Sequence, residues 1–395
     1  MRDFDVVILG AGASGLMCAS EAAVRKRRVL VLDHGPKPGR KVLVSGGGRC
    51  NFTNLHAAPA HYHSQNPHFV KSALSRFTPQ DFLERVKACR IAFHEKTDGQ
   101  MFCDRNARDI LDLLVASAEG KGAVIECGTQ VKEVRRDDAG FMVTTLKGDI
   151  QAARLVVATG GLSWPELGAT DLGHKIARQF GLEVVAPAPA LVGLAFPGRE
   201  KTRFEGLAGI HLCVGLSCGE WGSVDDLMIT HKGLSGPVIL NASMVWEPGR
   251  EIVVNWVPEQ TVEATFEQLK LDRAAGGRGK FRVWLSRRIP RRLAERIAWN
   301  AEARGPWKAL SDERLLALAS DIHSYRFIPS GTFGYKEAEV TRGGVDTREL
   351  SSKTMECLKV PGLFFTGEVM DVTGELGGFN LQWAWSSGWA AGQAV

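Results

Sequence analysis

The chain has 395 residues, of which 44% are hydrophobic and 24% charged, and a formal charge of +5. That balance excludes a disordered chain and leaves room for two or more compact units, and no apolar run reaches the length of a membrane span. Eight scattered cysteines form no zinc-type pair of pairs and are too sparse for a disulfide framework, while the acidic start MRDFD is unlike a secretory signal, so reduced thiols and a cytoplasmic location are expected.

Residues 3 to 35, "DFDVVILGAGASGLMCASEAAVRKRRVLVLDHG", read as strand, glycine turn, helix, strand. The apolar run at 6–9 is that of a strand covered on both faces. Gly10, Gly12 and Gly15 form GxGxxG, with Ala13 and Ser14 between them. Gly10 permits the tight turn, Gly12 lets a pyrophosphate reach the backbone, and Gly15 lets helix and strand pack closely. Asp33 ends the second strand 23 residues after Gly10, placed to accept hydrogen bonds from a ribose. Its carboxylate would repel a 2′-phosphate, so FAD or NAD fits better.

The stretch "VSGGGRCNFTN" (44–54) sets three glycines before an arginine, a cysteine and two asparagines. Glycines tolerate positive φ and close approach of another molecule; an anionic ligand and a plain surface turn both suit them. His56, His61, His63 and His68 follow in a loop without a clustered Cys or acid, so no metal site is expected and they read as solvent-facing or substrate-side residues.

Residues 123 to 159 alternate apolar and polar in short runs with turns at 137–140 and 147–149, an antiparallel meander. It leads into a buried strand over 155–158 and a close turn at Thr159, Gly160 and Gly161. "APAPA" (186–190) marks an exit from the first domain, and Ser330, Gly331 and Thr332 mark a return. Between them lie short strand-like runs at 191–196, 210–216, 226–230, 237–241 and 251–256, followed by helical segments over about 259–325. Residues 273–308 carry eleven Lys and Arg against two Glu. Pro290 suits a helix start there and Gly305-Pro306 a stop; Leu293 and Ile297 would face inward. Arg291 can pair with Glu295, whereas Arg287, Arg288, Arg292 and Arg296 lack local acids. Polyanion binding and a simply solvated helix face are both open.

The segment "GLFFTGEVMDVTGELGGFNLQWAWSSGWAAG" (362–392) adds a strand over 363–366, then Gly367, Glu368 and Asp371, a glycine pair ending at Gly378, and a last helix from about Phe379. It is a second ligand-facing strand end, far away in sequence.

GxGxxG, ATGG, the C-terminal Gly-Glu segment and the helix after GGFN together resemble FAD-binding flavoproteins of the glutathione reductase type. SGGGRCNxTN, "VTRGGV" (341–345 with Val340), "THKGLSGPVIL" (230–240) and "GEVMDVTGELGGFNLQWAWSSG" resemble, more narrowly, the BaiN-like family of bile-acid-inducible flavoprotein reductases, also labelled aminoacetone oxidase-family or NAD(P)/FAD-dependent oxidoreductases. The resemblance implies an α/β fold: a discontinuous Rossmann-like FAD domain (1–189 and 332–395) with parallel sheet and meander, and an inserted barrel-like substrate domain with helical subdomain (190–331). It further implies FAD contacts from Ser45, Gly46, Gly47, Gly48 and Asn51, with Arg40, Lys41 and Arg49 offsetting phosphate charge, and from Val131, Glu368 and Asp371. A helix starting near Phe379 would point N–H groups from Asn380, Leu381 and Gln382 at the flavin edge. Glutathione reductase relatives carry CxxxxC near the position of Cys50; here Leu55 stands in place of the second cysteine, so Cys50 reads as a packed residue with a direct thiol role as the rival. Lys336, beside Tyr335 and Glu337, is the other candidate for proton transfer.

The expected function is an FAD-dependent oxidoreductase passing hydride from NAD(P)H through the flavin to an unsaturated or carbonyl-bearing small molecule. A second GxGxxG unit is missing, so NAD(P)H would bind transiently. An FAD-dependent amine oxidase producing peroxide, and an FAD-stabilised module binding RNA or another polyanion, are the rivals.

Overall fold

The computed structural model describes residues 2–275, 281–300 and 307–395. Two compact units result: Met1–Pro189 with Glu339–Val395, and Ala190–Ala338.

The first unit begins with β1 (Arg2–Leu9), α1 (Ala13–Val24) and β2 (Val29–Leu32). The apolar half of β1 and all of β2 are buried, as continuous Val/Ile/Leu runs in a parallel sheet must be. Next come β3 (Asn51–Asn54), β4 (Tyr62–His63), β5 (Gln100–Cys103) and β6 (Val124–Glu126). The meander is β7 (Val131–Asp137), β8 (Gly140–Thr145) and β9 (Gly148–Val157), followed by α2 (Leu172–Gln179). Parallel pairing runs β6-β2-β1-β9, and antiparallel pairing continues β9-β8-β7.

The second unit contains β10 (Leu194–Ala195), α3 (Gly198–Arg203), β11 (His211–Cys218), β12 (Trp221–Ile229), β13 (Gly233–Ser235), α4 (Pro237–Ala242) and β14 (Ile252–Asn255). Helices α5 (Val262–Ala274), α6 (Phe281–Ser286), α7 (Arg291–Asn300) and α8 (Asp312–His323) follow, then β15 (Tyr325–Phe327) and β16 (Gly331–Thr332). Its seven strands pair antiparallel in the order β15-β14-β11-β12-β13-β10-β16. The two edge strands are near neighbours in the chain, which brings the ends of the curled sheet together, although no ladder between them closes a barrel among the described residues. Trp256, Phe281, Leu293 and Leu318 fill its core.

Two expectations for this unit change. Residues 237–241 form α4 rather than a strand, because Gly236 at φ +93° turns the chain and Pro237 takes the first helical position. The return falls at Glu339 rather than at 332: Phe333 packs so tightly beneath Gly193 that a Cβ there would lie 2.2 Å from its ring, and Glu337 pairs with Lys232. The expected helix stop at Gly305-Pro306 lies outside the described residues.

The basic stretch is also less free than its charge suggests. Arg291 pairs with Glu295 at 2.9 Å, as its spacing predicts. Arg288, however, lies 3.8 Å from the centre of the Trp284 ring and donates to Gln268. Arg292 and Arg296 donate to main-chain carbonyls of residues 202–206.

The chain re-enters the first unit as β17 (Val340–Val345), β18 (Leu363–Phe365), β19 (Thr373–Gly374) and α9 (Phe379–Gly392). β9 is flanked by β1 along its length; on its other side β8 covers residues 148–152 and β18 covers 155–157. Helix α9 lies on α1 through glycines. A Cβ on Gly388 would stand 2.4 Å from the Ser14 carbonyl, and one on Gly392 2.8 Å from that of Cys18.

Candidate active site

The parallel strands β1, β2, β9 and β18 end at Gly10, Asp33, the turn Thr159–Gly160–Gly161 and Thr366–Gly367–Glu368. Ligands of open α/β sheets bind outside such carboxyl ends. The glycines there divide by what surrounds them. Gly10 (φ +110°) and Gly15 are demanded by packing: a Cβ on the first would meet the Ala158 carbonyl at 2.4 Å, and on the second the Gly10 carbonyl at 2.0 Å. Gly12 is different. Its φ of −88° suits any residue, and a Cβ would meet nothing within 4 Å. It caps α1 with no side-chain hydrogen bond and no acid follows in the first turn, so the leading N–H groups and the positive helix end face open space.

Asp33 is held in place at this cradle, taking the Ala11 N–H at 2.9 Å and the Gly35 N–H at 2.7 Å. Each carboxylate oxygen keeps a further lone pair for a ribose hydroxyl. The Arg40 guanidinium lies against Gly35 and Gly168, beside His34. Val131 opens β7, half-buried. Ser14 directs its hydroxyl to the Thr366 carbonyl, 3.3 Å away, and Gly367 (φ +72°) packs on that side chain.

The 44–54 stretch separates in the same way. Ser45–Gly48 form a tight turn with Gly46, Gly47 and Gly48 all at positive φ. A Cβ on Gly46 would strike the Asn51 N–H at 2.6 Å, whereas one on Gly47 would meet nothing within 4 Å and one on Gly48 only a carbonyl at 3.9 Å. Gly160 is similarly open. Ser45 closes the preceding turn through Val42, and Arg49 is exposed. The bare backbone at 12, 47, 48 and 160, the uncapped helix and the Asp33 carboxylate at the end of β2 fit a dinucleotide such as FAD.

Lys41 is not a free phosphate counter-ion. Its ammonium sits 2.7 Å from Glu368 and 2.8 Å from Ser163, and Glu368 also accepts from the Thr341 N–H (2.9 Å) and the Ser163 hydroxyl (3.1 Å). The Thr341 hydroxyl takes the N–H groups of Leu162 and Ser163. This network ties the turn after β9 to β17 and β18. Ser163 and Thr341, which sequence reasoning passed over, are 178 residues apart, and no local pattern announces their meeting. The Thr159 hydroxyl points toward Gly173 on α2.

The start of α9 is a second bare helix end, with Gly378 at φ +98° and neither side-chain cap nor first-turn acid. Asn51 lies between Gln100 and this end, its amide oxygen 3.3 Å from the Gly378 N–H. The Phe379 carbonyl accepts from Tyr62, and the His61 ring stacks on Phe379 with centroids 4.6 Å apart. His61 Nδ1 is 2.8 Å from Glu375, so an acid distant in sequence joins one of the loop histidines.

Two assignments are corrected here, those of Gln382 and Asp371. Gln382 is fully buried: its N–H donates to the Gly378 carbonyl and its amide bonds Thr53, Phe77 and Ser386, because the fourth residue of a helix already belongs to the ladder. Asn380 braces Gly374 with its side chain, leaving only the main-chain groups of Phe379, Asn380 and Leu381 as donors. Asp371 holds a loop, accepting the Gln65 N–H at 2.8 Å, and burial pushes its carboxyl above the usual range.

Cys50 is fully buried at φ +51°, and burial pushes its thiol up to about 12; a thiol so desolvated is a poor nucleophile. All eight cysteines are free. Lys336 belongs to the second unit. Among the described residues no His/Cys/Asp/Glu group forms a metal cluster and no helix is long and apolar enough to cross a membrane.

The model of the HI0933-like protein Rossmann domain matches residues 4–394. The chain is 46% identical over 396 residues to the ribosomal RNA dihydrouridine synthase of Escherichia coli (strain K12), covering 100% of this chain and 98% of the relative. It is 43% identical to the protein of that name from Haemophilus influenzae, covering 98% of each chain. The 3-dehydro-bile acid delta(4,6)-reductase of Clostridium scindens is 28% identical, again over 98% of each, in line with the BaiN-like resemblance.

Proposed function

The chain belongs to the HI0933-like Rossmann family, and we propose that it is an FAD-dependent reductase acting on the C5=C6 bond of uridine in ribosomal RNA. The fold is that of flavoprotein oxidoreductases. The observation that carries the substrate is the 46% identity to a ribosomal RNA dihydrouridine synthase along the whole chain. This moves the acceptor from a small molecule to a base within a polymer, and keeps the expected chemistry of reducing an activated double bond. The bile-acid reductase among the relatives fits the same class.

FAD held here, once reduced by a nicotinamide as our expected donor, would supply the hydride. The chain's own residues supply the rest. The α1 N-terminus and Gly12 seat the pyrophosphate, and Asp33 takes the ribose. Gly47 and Gly48 let the main chain approach the cofactor. The α9 N-terminus offers positive partial charge to an anionic ring edge. Saturating C5=C6 also needs one proton at C5. We assign that proton to the His61–Glu375 pair, joined through Nδ1 over 2.8 Å beside Phe379, while Cys50 takes no part.

The test is nucleoside analysis of unmodified ribosomal RNA incubated with purified protein and NADH or NADPH. Nicotinamide-dependent dihydrouridine is expected. No dihydrouridine, together with peroxide formation from a small amine, would replace this reading with the oxidase one.

A further inference from the structure

We infer that His63 positions the His61–Glu375 pair and switches it with pH: a neutral His63 leaves Glu375 to His61, and a protonated one draws the carboxylate away. The switch takes its purpose from the proton assignment above and rests on that reading, while its geometry stands on one short ribbon of the first unit.

The antiparallel pairing of β4 with β19 sets Thr373 opposite His63 and Gly374 opposite Tyr62. The Glu375 N–H donates to the His61 carbonyl at 3.0 Å, so the ladder runs one residue beyond both strands. Side chains alternate along such a ribbon, which places His61, His63, Thr373 and Glu375 on one face. His61 and Glu375 stand directly opposite and meet through Nδ1 at 2.8 Å. His63 and Glu375 are diagonal neighbours, a spacing of about 7–8 Å that long side chains bridge. The register is pinned from α9: Asn380 accepts the Gly374 N–H at 2.9 Å and donates to its carbonyl at 2.7 Å, and Tyr62 donates to the Phe379 carbonyl at 3.0 Å.

The surroundings of His63 favour its neutral form. Its Nε2 is buried and finds no protein partner among the described residues, and Thr373 Oγ1 across the ladder is in the same state. A second ring proton would therefore enter a place where nothing is arranged to accept it. Burial accordingly holds the ring below the ordinary histidine value of 6.5, and the Glu375 charge pulls the other way. The elements packed on the ribbon bring few other charges. Arg342 is the charged residue of β17, α9 has none, and the helix over Val70–Arg76 behind the 59–61 turn carries Lys71 and Arg76. Asp371 is engaged with the Gln65 N–H. Glu375 is thus the anion to which an imidazolium at position 63 turns. A carboxylate that closes on that ring loosens its hold on His61, whose orientation depends on the partner of Nδ1.

In the experiment, enzyme-bound FAD is reduced with dithionite and mixed with ribosomal RNA between about pH 5 and 8, so that dihydrouridine reports the half-reaction that needs the proton. Wild type, His63→Gln and His63→Lys are compared, with flavin content and Tm read at each pH. A positioned acid contributes about 10²–10⁴ in rate, so wild-type turnover should fall at least about tenfold on the acid side. His63→Gln, which takes no proton, should lose that limb, and His63→Lys, a standing cation, should be slow at every pH. A second readout needs no RNA: in ring-labelled protein the His61 and His63 NMR signals should move together as His63 titrates, and Glu375→Gln should uncouple them. An acid limb kept by His63→Gln overturns the inference, as do independent His61 and His63 signals in the wild type. If His63→Lys does not fold, those two results decide alone. Coupled signals without any dihydrouridine leave the switch standing and remove the RNA reading instead.

Discussion

Replacing Gly12 or Gly15 by alanine separates a glycine kept for a ligand from one kept for packing. At Gly15 the added methyl would stand 2.0 Å from the Gly10 carbonyl, well inside contact distance. Helix α1 would have to move by more than 1 Å, at a cost of about 2–3 kcal/mol, toward the upper end of overpacking penalties. At Gly12 the methyl meets no atom within 4 Å and the backbone is already at φ −88°, so the apoprotein should change by less than about 1 kcal/mol. Its effect belongs to the ligand: if the methyl displaces the pyrophosphate from one N–H, the loss is that of a charged hydrogen bond, about 1.5–3 kcal/mol. FAD should then bind about ten- to 150-fold more weakly. Urea denaturation of both apoproteins and FAD titration by flavin fluorescence measure the two quantities. A Gly12→Ala protein that binds FAD as tightly as wild type would refute the cradle assignment, and a Gly15→Ala apoprotein of unchanged stability would refute the packing argument.

Other outcomes follow from buried groups. With the Cys50 and Cys103 thiols both pushed up to about 12 by burial, the unfolded chain loses these protons from about pH 9 while the folded chain keeps them. The contribution of these two thiols to stability should therefore be level below about pH 9 and fall from there to about pH 12, and Cys50→Ser should flatten that decline; a decline unaltered by the substitution would argue against it. The same burial predicts that iodoacetamide at pH 8 labels Cys50 in urea and not in the native protein, as read by peptide mass analysis. For Asp371, whose carboxyl is raised by burial, ionisation at neutral pH costs the folded state. Asp371→Asn, which can still accept the Gln65 N–H, should raise Tm at pH 7 and leave it unchanged near pH 3. A lower Tm at pH 7 would mean that the charge itself is needed.

Legibility in the sequence followed distance along the chain. The GxGxxG turn, the strand ending at Asp33 and the meander are written within about thirty residues each, where period and turn chemistry suffice. Residues 237–241 misled because a short apolar run has no period of its own, and Gly236-Pro237 was the only local hint of a helix. Lys41–Glu368, Ser163–Thr341 and His61–Glu375 join residues more than 100 positions apart, and a single sequence carries no sign of such pairings. Gln382 illustrates the opposite error. A polar residue just inside a helix start looked available, and burial against Thr53 and Ser386 had already claimed it.

The glycine seam between α9 and α1 bears on how the protein is made. A ribosome releases α1 hundreds of residues before α9, and β18, which completes the pairing of β9, is likewise late. Throughout that interval the inner face of α1, including Ser14, Cys18 and Glu21, has no mate, whereas the intervening unit of residues 190–338 has all its strands and can close first. The order of synthesis thus opposes the order of assembly: the first unit is begun first and finished last. A growing chain halted shortly before residue 379 would expose the α1 surface to chaperones and proteases while carrying a finished second unit.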